Sequence, residues 1–277
     1  MRSLLFVPGD RPDRMDKALR SGADALILDL EDSVSPQNKP AARQAVSAFL
    51  ATARHILIFV RINPITSPLA DDDLQAIAHL APHGIVLPKA EGGATTAELH
   101  RRLTALGNTT AKILPIATET AASIFLLPSF RDQPRLCGLT WGAEDLSADL
   151  GASTAREADG AYTAPYQLAR SLALFAAHAA GLAAIETVYP DIGDSDGIAA
   201  YAARGARDGF TAMLAIHPAQ IPIINAAFTP PPEAVAHARA IVEAFAANPT
   251  AGVLQLNGKM IDAPHLKQAQ RVLGKQG

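Results

Sequence analysis

Short apolar runs recur along the chain, separated by longer stretches in which Ala and Leu fall at helical spacing among charged residues. Eight such runs stand out, at 4–9 (LLFVPG), 25–31 (ALILDLE), 56–63 (ILIFVRIN), 84–91 (GIVLPKAE), 112–119 (KILPIATE), 136–145 (LCGLTWGAED), 183–189 (AAIETVY) and 211–218 (TAMLAIHP). Each has the form of a parallel strand buried on both faces. The stretches between them read as helices, among them 13–22, which stops at Gly22, 40–53, and the long Ala-rich 161–181. Strands alternating with helices imply a parallel sheet. Eight such units within about 220 residues fit a (β/α)8 TIM barrel, an α/β fold, with a doubly wound open sheet as the alternative. The pattern changes near residue 230. A Pro-initiated helical stretch at 228–248 is followed by a loop and a final helix at 264–273. The division expected is a barrel catalytic domain over 1–230 and a C-terminal helical extension over 231–277, acting as a lid or oligomerisation arm.

Composition narrows the classes. Apolar residues make up 49% of the 277 and charged residues 18%, which supplies a large core and excludes disorder. Aromatics are 5%, so Ala, Leu, Ile and Val carry that core. A net charge of −3 gives no basic footprint, and nucleic acid is not expected as a partner. A local cluster of Arg and Lys can still hold a small anion. The lone Cys137 leaves no internal disulfide or Cys-rich zinc site. There is no run of 18 apolar residues and no signal-like segment at the start, so the expectation is a cytoplasmic protein without membrane contact.

Polar residues concentrate at the carboxyl ends of the apolar runs: Asp29, Glu31 and Asp32; Arg61 and Asn63; Lys89 and Glu91; Glu119; Glu144 and Asp145; Glu186; His217. Barrel enzymes carry their active sites at that face. Glu119 and Asp145 lie 26 residues apart, one strand–helix unit, which sets them on adjacent strands. Two carboxylates without His or Cys suit a hard cation, Mg2+ or alternatively Mn2+; helix capping is the competing assignment. Arg61 at a buried strand end can clamp a carboxylate or a developing oxyanion, pair with Glu31 or Asp32, or do both. Glu31 and Asp32 can accept hydrogen bonds from water around a cation, and Asp32 or Ser33 can instead cap a helix. Arg11, Arg14 and Lys17 form a basic group suited to a phosphorylated ligand or to a solvated helix start. By composition alone Asp262 reads as the cap of the last helix.

Together the segments RSLLFVPGDRPDRMDKAL, LILDLEDSV, FVRIN, IVLPKAE, TETAASI, LTWGAEDLSADLG, ETVYPDI, IHPAQI and NGKMIDAPH resemble the citrate lyase β-subunit and malyl-CoA lyase family. That family belongs to the HpcH/HpaI aldolase group of the pyruvate/phosphoenolpyruvate barrel superfamily. The resemblance implies Mg2+-dependent cleavage of a 3-hydroxyacyl-CoA of the citramalyl-, malyl- or citryl-CoA type, giving acetyl-CoA and a 2-oxo acid. It implies metal binding by Glu119 and Asp145, and a substrate-carboxylate contact by Arg61. It also implies that Asp262 reaches the active site of a neighbouring subunit in a homo-oligomer, a trimer or hexamer. Around these, Glu31 and Asp32 join Arg61 and Asp262 in the catalytic set. Gly142, Ala143 and Glu144 join Arg61 and Glu119 in contacting substrate, and Arg11, Arg14, Lys17 and Lys89 are assigned to the CoA moiety. The alternatives are a class II aldolase acting on free hydroxy-oxo acids, and a citrate lyase β-subunit serving an acyl carrier protein within a complex. Two departures stand out. Ala212 and Met213 replace the usual Gly-Lys before IHP, with a change in acyl-CoA contact or packing expected. Glu186 replaces the usual Asp, with a reshaped substrate pocket expected.

Overall fold

A computed structural model describes residues 1–52 and 55–274. All eight runs form strands: β1 (Ser3–Pro8), β2 (Ala25–Asp29), β3 (Leu57–Arg61), β4 (Gly84–Leu87), β5 (Lys112–Pro115), β6 (Gly138–Thr140), β7 (Ala183–Glu186) and β8 (Ala212–Ala215). Each ends short of its apolar run, so the polar residues mostly fall in the loops just beyond. Every pairing is parallel, and β1 pairs with both β2 and β8. The outermost strands β5 and β6 meet through parallel bridges, Ile113 to Leu136 and Ile116 to Thr140. The sheet therefore curls into a (β/α)8 TIM barrel, which rules out the open sheet. Leu4, Ile27, Phe59, Val86, Leu114, Ile185 and Leu214 pack within it, one or more from nearly every strand, as the interior of an eight-stranded barrel requires.

Helices alternate with the strands: α1 (Pro12–Ala18), α2 (Lys39–Leu50), α3 (Leu69–Ile77), α4 (Gly92–Ala105), α5 (Ala121–Leu126), α6 (Glu144–Leu150), α7 (Ala164–Ala179), α8 (Ser195–Asp208) and α9 (Ile221–Ala227). Local chemistry sets their ends. Pro12 opens α1, where its missing N–H costs nothing. The Thr120 side chain accepts from the Ser123 amide to start α5, and Gly151 closes α6 in the left-handed conformation (φ 66°). Among the described residues no helix is long and apolar enough to cross a membrane.

The chain divides into two compact units, Met1–Asn225 and Ala226–Gly277, with the boundary inside α9. The second unit holds α10 (Pro232–Ala247), an antiparallel hairpin of β9 (Val253–Leu256) and β10 (Lys259–Asp262), and α11 (Ala263–Gly274). Asn257 and Gly258 both take positive φ (48° and 78°), the two-residue turn that an Asn-Gly pair favours. Ala238, Ile241, Ile261 and Ala269 form its own small core.

Candidate active site

A cavity of about 280 Å³ opens at the carboxyl end of the barrel. Its polar lining is Asp29 from the end of β2, Asp32 and Ser33 from the loop after it, Arg61 from the end of β3, Glu119 after β5, and Glu144 and Asp145 in the first turn of α6. Trp141, Gly142 and Ala143 form a wall, with Thr187 and Val188 after β7 and Phe6, Ile116, Leu214 and Ile216 below.

Arg61 is held rigidly. Its Nε and Nη2 each donate at 2.7 Å to the two oxygens of Asp29, its register partner across β2 and β3. Such a planar two-point bond fixes orientation as well as charge. Nη1 lies 3.0 Å from Glu31 Oε2 and 3.7 Å from Asp32 Oδ2, and the guanidinium sits 4.9 Å above the Phe6 ring. Burial alone lifts the Asp29 carboxyl, but the bonds and charge of Arg61 outweigh it and hold that carboxyl below its ordinary range. The same acids raise Arg61 further against the cost of its burial.

Glu31 and Glu119 shift the opposite way from Asp29. Burial, with the charge of Asp32, pushes Glu31 up to about 7 in spite of Arg61 and Lys89. Burial, with the charges of Asp145 and Glu31, pushes Glu119 up to about 8, although the Lys89 amide donates to its Oε2 at 2.5 Å. The Lys89 ammonium bridges the acids, at 2.8 Å from Glu31 Oε1 and 3.0 Å from Asp145 Oδ1. Lys89 therefore sits in the carboxylate cluster, while Arg11, Arg14 and Lys17, with which it was expected to hold the CoA moiety, line a separate cavity. Among the described residues no three His, Cys, Asp or Glu side chains are arranged to hold a metal by themselves.

The backbone is built around these groups. Lys39, buried on α2, donates to the carbonyls of Leu30 and Glu31 at 2.6 and 2.7 Å and so ties down the acidic loop. At Gly142 a Cβ would stand 2.9 Å from Glu119 Cγ, so only glycine lets the chain pass this close. The Thr118 hydroxyl accepts from the Gly142 amide at 3.2 Å, linking the two loops.

A second cavity of about 450 Å³ contains Arg11, Arg14 and Lys17, and shares Phe6 and Ile216 with the first. Two of its cations already face Asp13, Arg11 at 3.4 Å and Lys17 at 4.0 Å. Glu186 is elsewhere. It is fully buried, accepting from Trp141 Nε1 (2.6 Å), the Tyr201 hydroxyl (2.9 Å), the Thr187 amide (3.0 Å) and Arg170 Nε (2.7 Å). It does not reach the cavity, which corrects the expectation that its extra methylene reshapes the mouth. Ala212 and Met213 are likewise completely buried in β8, with Met213 in register with Glu186, so this departure is a matter of packing. Asp262, in the second unit, ends β10, and its Oδ1 lies 2.5 Å from His265 Nδ1. That bond holds the Asp262 carboxyl below its ordinary range.

Sequence reasoning missed Asp29 as the partner of Arg61, Lys39 as the brace of the acidic loop, and Arg170 as the cation facing Glu186. The first was signalled by an acid ending the strand before the one that ends in Arg61. The other two lie on helices, and only packing brings them in.

The whole first unit but its last residues matches a known pattern: a family model described as HpcH/HpaI aldolase/citrate lyase covers residues 2–218. The chain is 38% identical over 273 residues to a citrate lyase subunit beta-like protein of Mycobacterium tuberculosis, covering 99% of this chain and 94% of that one. It is 31% identical over 278 residues to a (3S)-malyl-CoA thioesterase of Cereibacter sphaeroides, covering 99% and 94%. Among solved structures it is similar to CitE of Mycobacterium tuberculosis in complex with magnesium, acetoacetate and coenzyme A, with a TM-score of 0.84, 36% identity and coverage of 99% and 97%.

Proposed function

The chain belongs to the HpcH/HpaI aldolase/citrate lyase family, and from that premise we propose that it is a Mg2+-dependent carbon–carbon lyase acting on a 3-hydroxyacyl-CoA thioester of the citramalyl-, malyl- or citryl-CoA type. The products are acetyl-CoA and a 2-oxo acid. The observation that carries this reading is the meeting of Glu119, Asp145 and a locked Arg61 around one cavity that adjoins a basic one. The magnesium and coenzyme A bound by the similar CitE structure support it.

The residues present fit the metal. Mg2+ takes oxygen ligands, often one or two carboxylates, and fills its shell with water and substrate. Glu119 and Asp145 supply that number. Glu119 is pushed up to about 8 by burial and by neighbouring acids, which marks a pocket short of positive charge. Bound there, Mg2+ supplies Lewis-acid polarisation of the substrate hydroxyl and its adjacent carboxylate.

The chain's own residues do the rest. Asp29 holds Arg61 through Nε and Nη2 while Nη1 faces Glu31 and Asp32, and the guanidinium charge at that edge of the cavity stabilises the thioester enolate as the carbon–carbon bond breaks. Asp32 and Glu31 accept hydrogen bonds from water at that edge and keep it oriented. Gly142, Ala143 and Glu144 shape the wall against which the small hydroxy acid lies. Arg11, Arg14 and Lys17 pair with the phosphates of CoA. In cleavage the substrate hydroxyl gives its proton to the water held by Asp32 and Glu31 as the carbonyl forms, and Asp262 of a neighbouring subunit gives a proton to the enolate carbon; in condensation both transfers run in reverse. The pairing of Asp262 with His265 favours the carboxylate and so the taking of that proton in condensation.

The test is turnover of citramalyl-, malyl- and citryl-CoA with Mg2+, followed by acetyl-CoA release. We expect release from at least one, abolished by chelator, and lost together with Mg2+ affinity in Glu119→Ala. Free CoA with an intact hydroxy acid would instead make this a thioesterase, as the Cereibacter relative is named. Cleavage of free hydroxy-oxo acids would make it an aldolase, and cleavage confined to acyl carrier protein thioesters a subunit of a complex.

A further inference from the structure

Lys89 touches three carboxylates with two different groups. Its amide donates to Glu119 Oε2, and its ammonium lies within 3.0 Å of both Glu31 and Asp145. To do so its backbone takes φ 49°, the left-handed region, where a non-glycine residue is strained. Strain of this kind persists only where the surroundings enforce it, and it gathers at functional sites. The amide contact fixes the direction of Glu119 whatever the side chain. The ammonium is a compact, strongly hydrated charge on a flexible stem. About a third of the Lys89 and Asp145 side chains is exposed, so that charge can swing away without breaking a buried pair.

We propose that Lys89 is the resident counter-cation of the metal site: its ammonium occupies Asp145 and Glu31 in the metal-free protein and leaves Asp145 when a divalent cation binds. It then stays on Glu31, which no metal ligand role claims. Among the described residues Arg61 and Lys89 are the cations paired with the side chains of Asp29, Glu31, Asp32 and Asp145, Lys39 adds its charge from beneath the acidic loop, and Glu119 is held by the Lys89 amide. Without the ammonium, Asp145 and Glu31 would repel each other and Glu119. Lys89 thus stabilises the empty site and competes for the filled one, which sets how much Mg2+ the protein needs.

The proposal rests on Glu119 and Asp145 being the metal carboxylates. It is tested with Mg2+ alone, by calorimetric titration of wild type, Glu119→Ala and Lys89→Met, together with thermal unfolding in chelator. Met keeps an unbranched stem and the same amide, and removes the charge. Lys89→Met is expected to bind Mg2+ about tenfold more tightly, since a unit charge a few ångströms away is lost from a partly screened site. It is also expected to unfold at lower temperature in chelator, with the deficit narrowed by Mg2+. Lys89→Gln carries the same expectations should the Met variant not fold. Wild-type binding that Glu119→Ala removes, with no tightening in the Lys89 variants, overturns the counter-cation role and leaves the metal assignment standing. Wild type that binds no Mg2+, or Glu119→Ala that binds it as wild type does, overturns both.

Discussion

Glu119 and Glu31 show how burial converts a charge into a pH dependence. Both carboxyls stand above their ordinary 4.5, at about 8 and about 7, chiefly through loss of water and then through neighbouring acids. Between about pH 5 and 8 the folded chain therefore binds more protons at these groups than the unfolded chain does, and the slope of unfolding free energy with pH is negative. In the metal-free protein this contribution to stability is present at about pH 5 and is lost as pH rises through 7 and 8. Mg2+ needs the ionised carboxylate, so its binding must release protons. At pH 7 calorimetric titrations in buffers of different ionisation enthalpy are expected to show net proton release, close to one proton from Glu119, with affinity rising up to about pH 8. A Mg2+ affinity that does not change from pH 6.5 to 8.5, with no proton released, would remove Glu119 from the metal site.

The strands carry these residues to one place, and the alternating pattern of the sequence was enough to locate all eight. The cavity's acids were legible for the same reason: they follow apolar runs, and a barrel gathers every strand's carboxyl end on one face. Register and helix packing were not legible. Asp29 and Arg61 meet because β2 and β3 pair in a register that ends both strands together, which neither run states by itself. Glu186 looked like a mouth residue because β7 ends there, yet its side chain turns into the layer between barrel and helix. There Arg170 of α7 meets it, with Arg170 also bonded to Asp208 at 2.9 Å and stacked 4.7 Å above Phe210. Arg170 supplies the positive charge next to Glu186, and the neighbouring β8 position is filled by Met213, so hydrocarbon and cation have separate places. Removing one partner of such a pair strands the other. Arg170→Met is expected to cost about 3–5 kcal/mol in urea unfolding. Adding Glu186→Gln, which keeps an acceptor for Trp141 and Tyr201, should recover part of it. A loss below about 1 kcal/mol for Arg170→Met would show that Glu186 does not depend on that charge.

The second unit carries the one proposed catalytic group that the barrel does not supply. We propose that the protein is a homo-oligomer, a trimer or hexamer, in which each barrel takes Asp262 from a neighbour; a sedimenting monomer with full activity would refute this. The sharper test uses two inactive parents. Asp262→Asn keeps the size of the side chain and an oxygen to accept from His265, so the hairpin and the start of α11 are preserved. Only proton exchange is lost, typically 10²–10⁴-fold in rate. Arg61→Ala keeps the second unit intact and removes the oxyanion partner from the barrel. Each parent alone has no complete site. If Asp262 acts across subunits, mixing equal amounts and allowing exchange joins an intact barrel to an intact tail at about a quarter of the interfaces of a closed ring. Activity near that fraction of wild type is expected, with Mg2+ affinity unchanged in Asp262→Asn. Exchange confirmed by mass labelling with no recovered turnover would mean that the tail serves its own barrel. Near-normal turnover of Asp262→Asn alone would leave Asp262 as the partner of His265 at the head of α11 and nothing more.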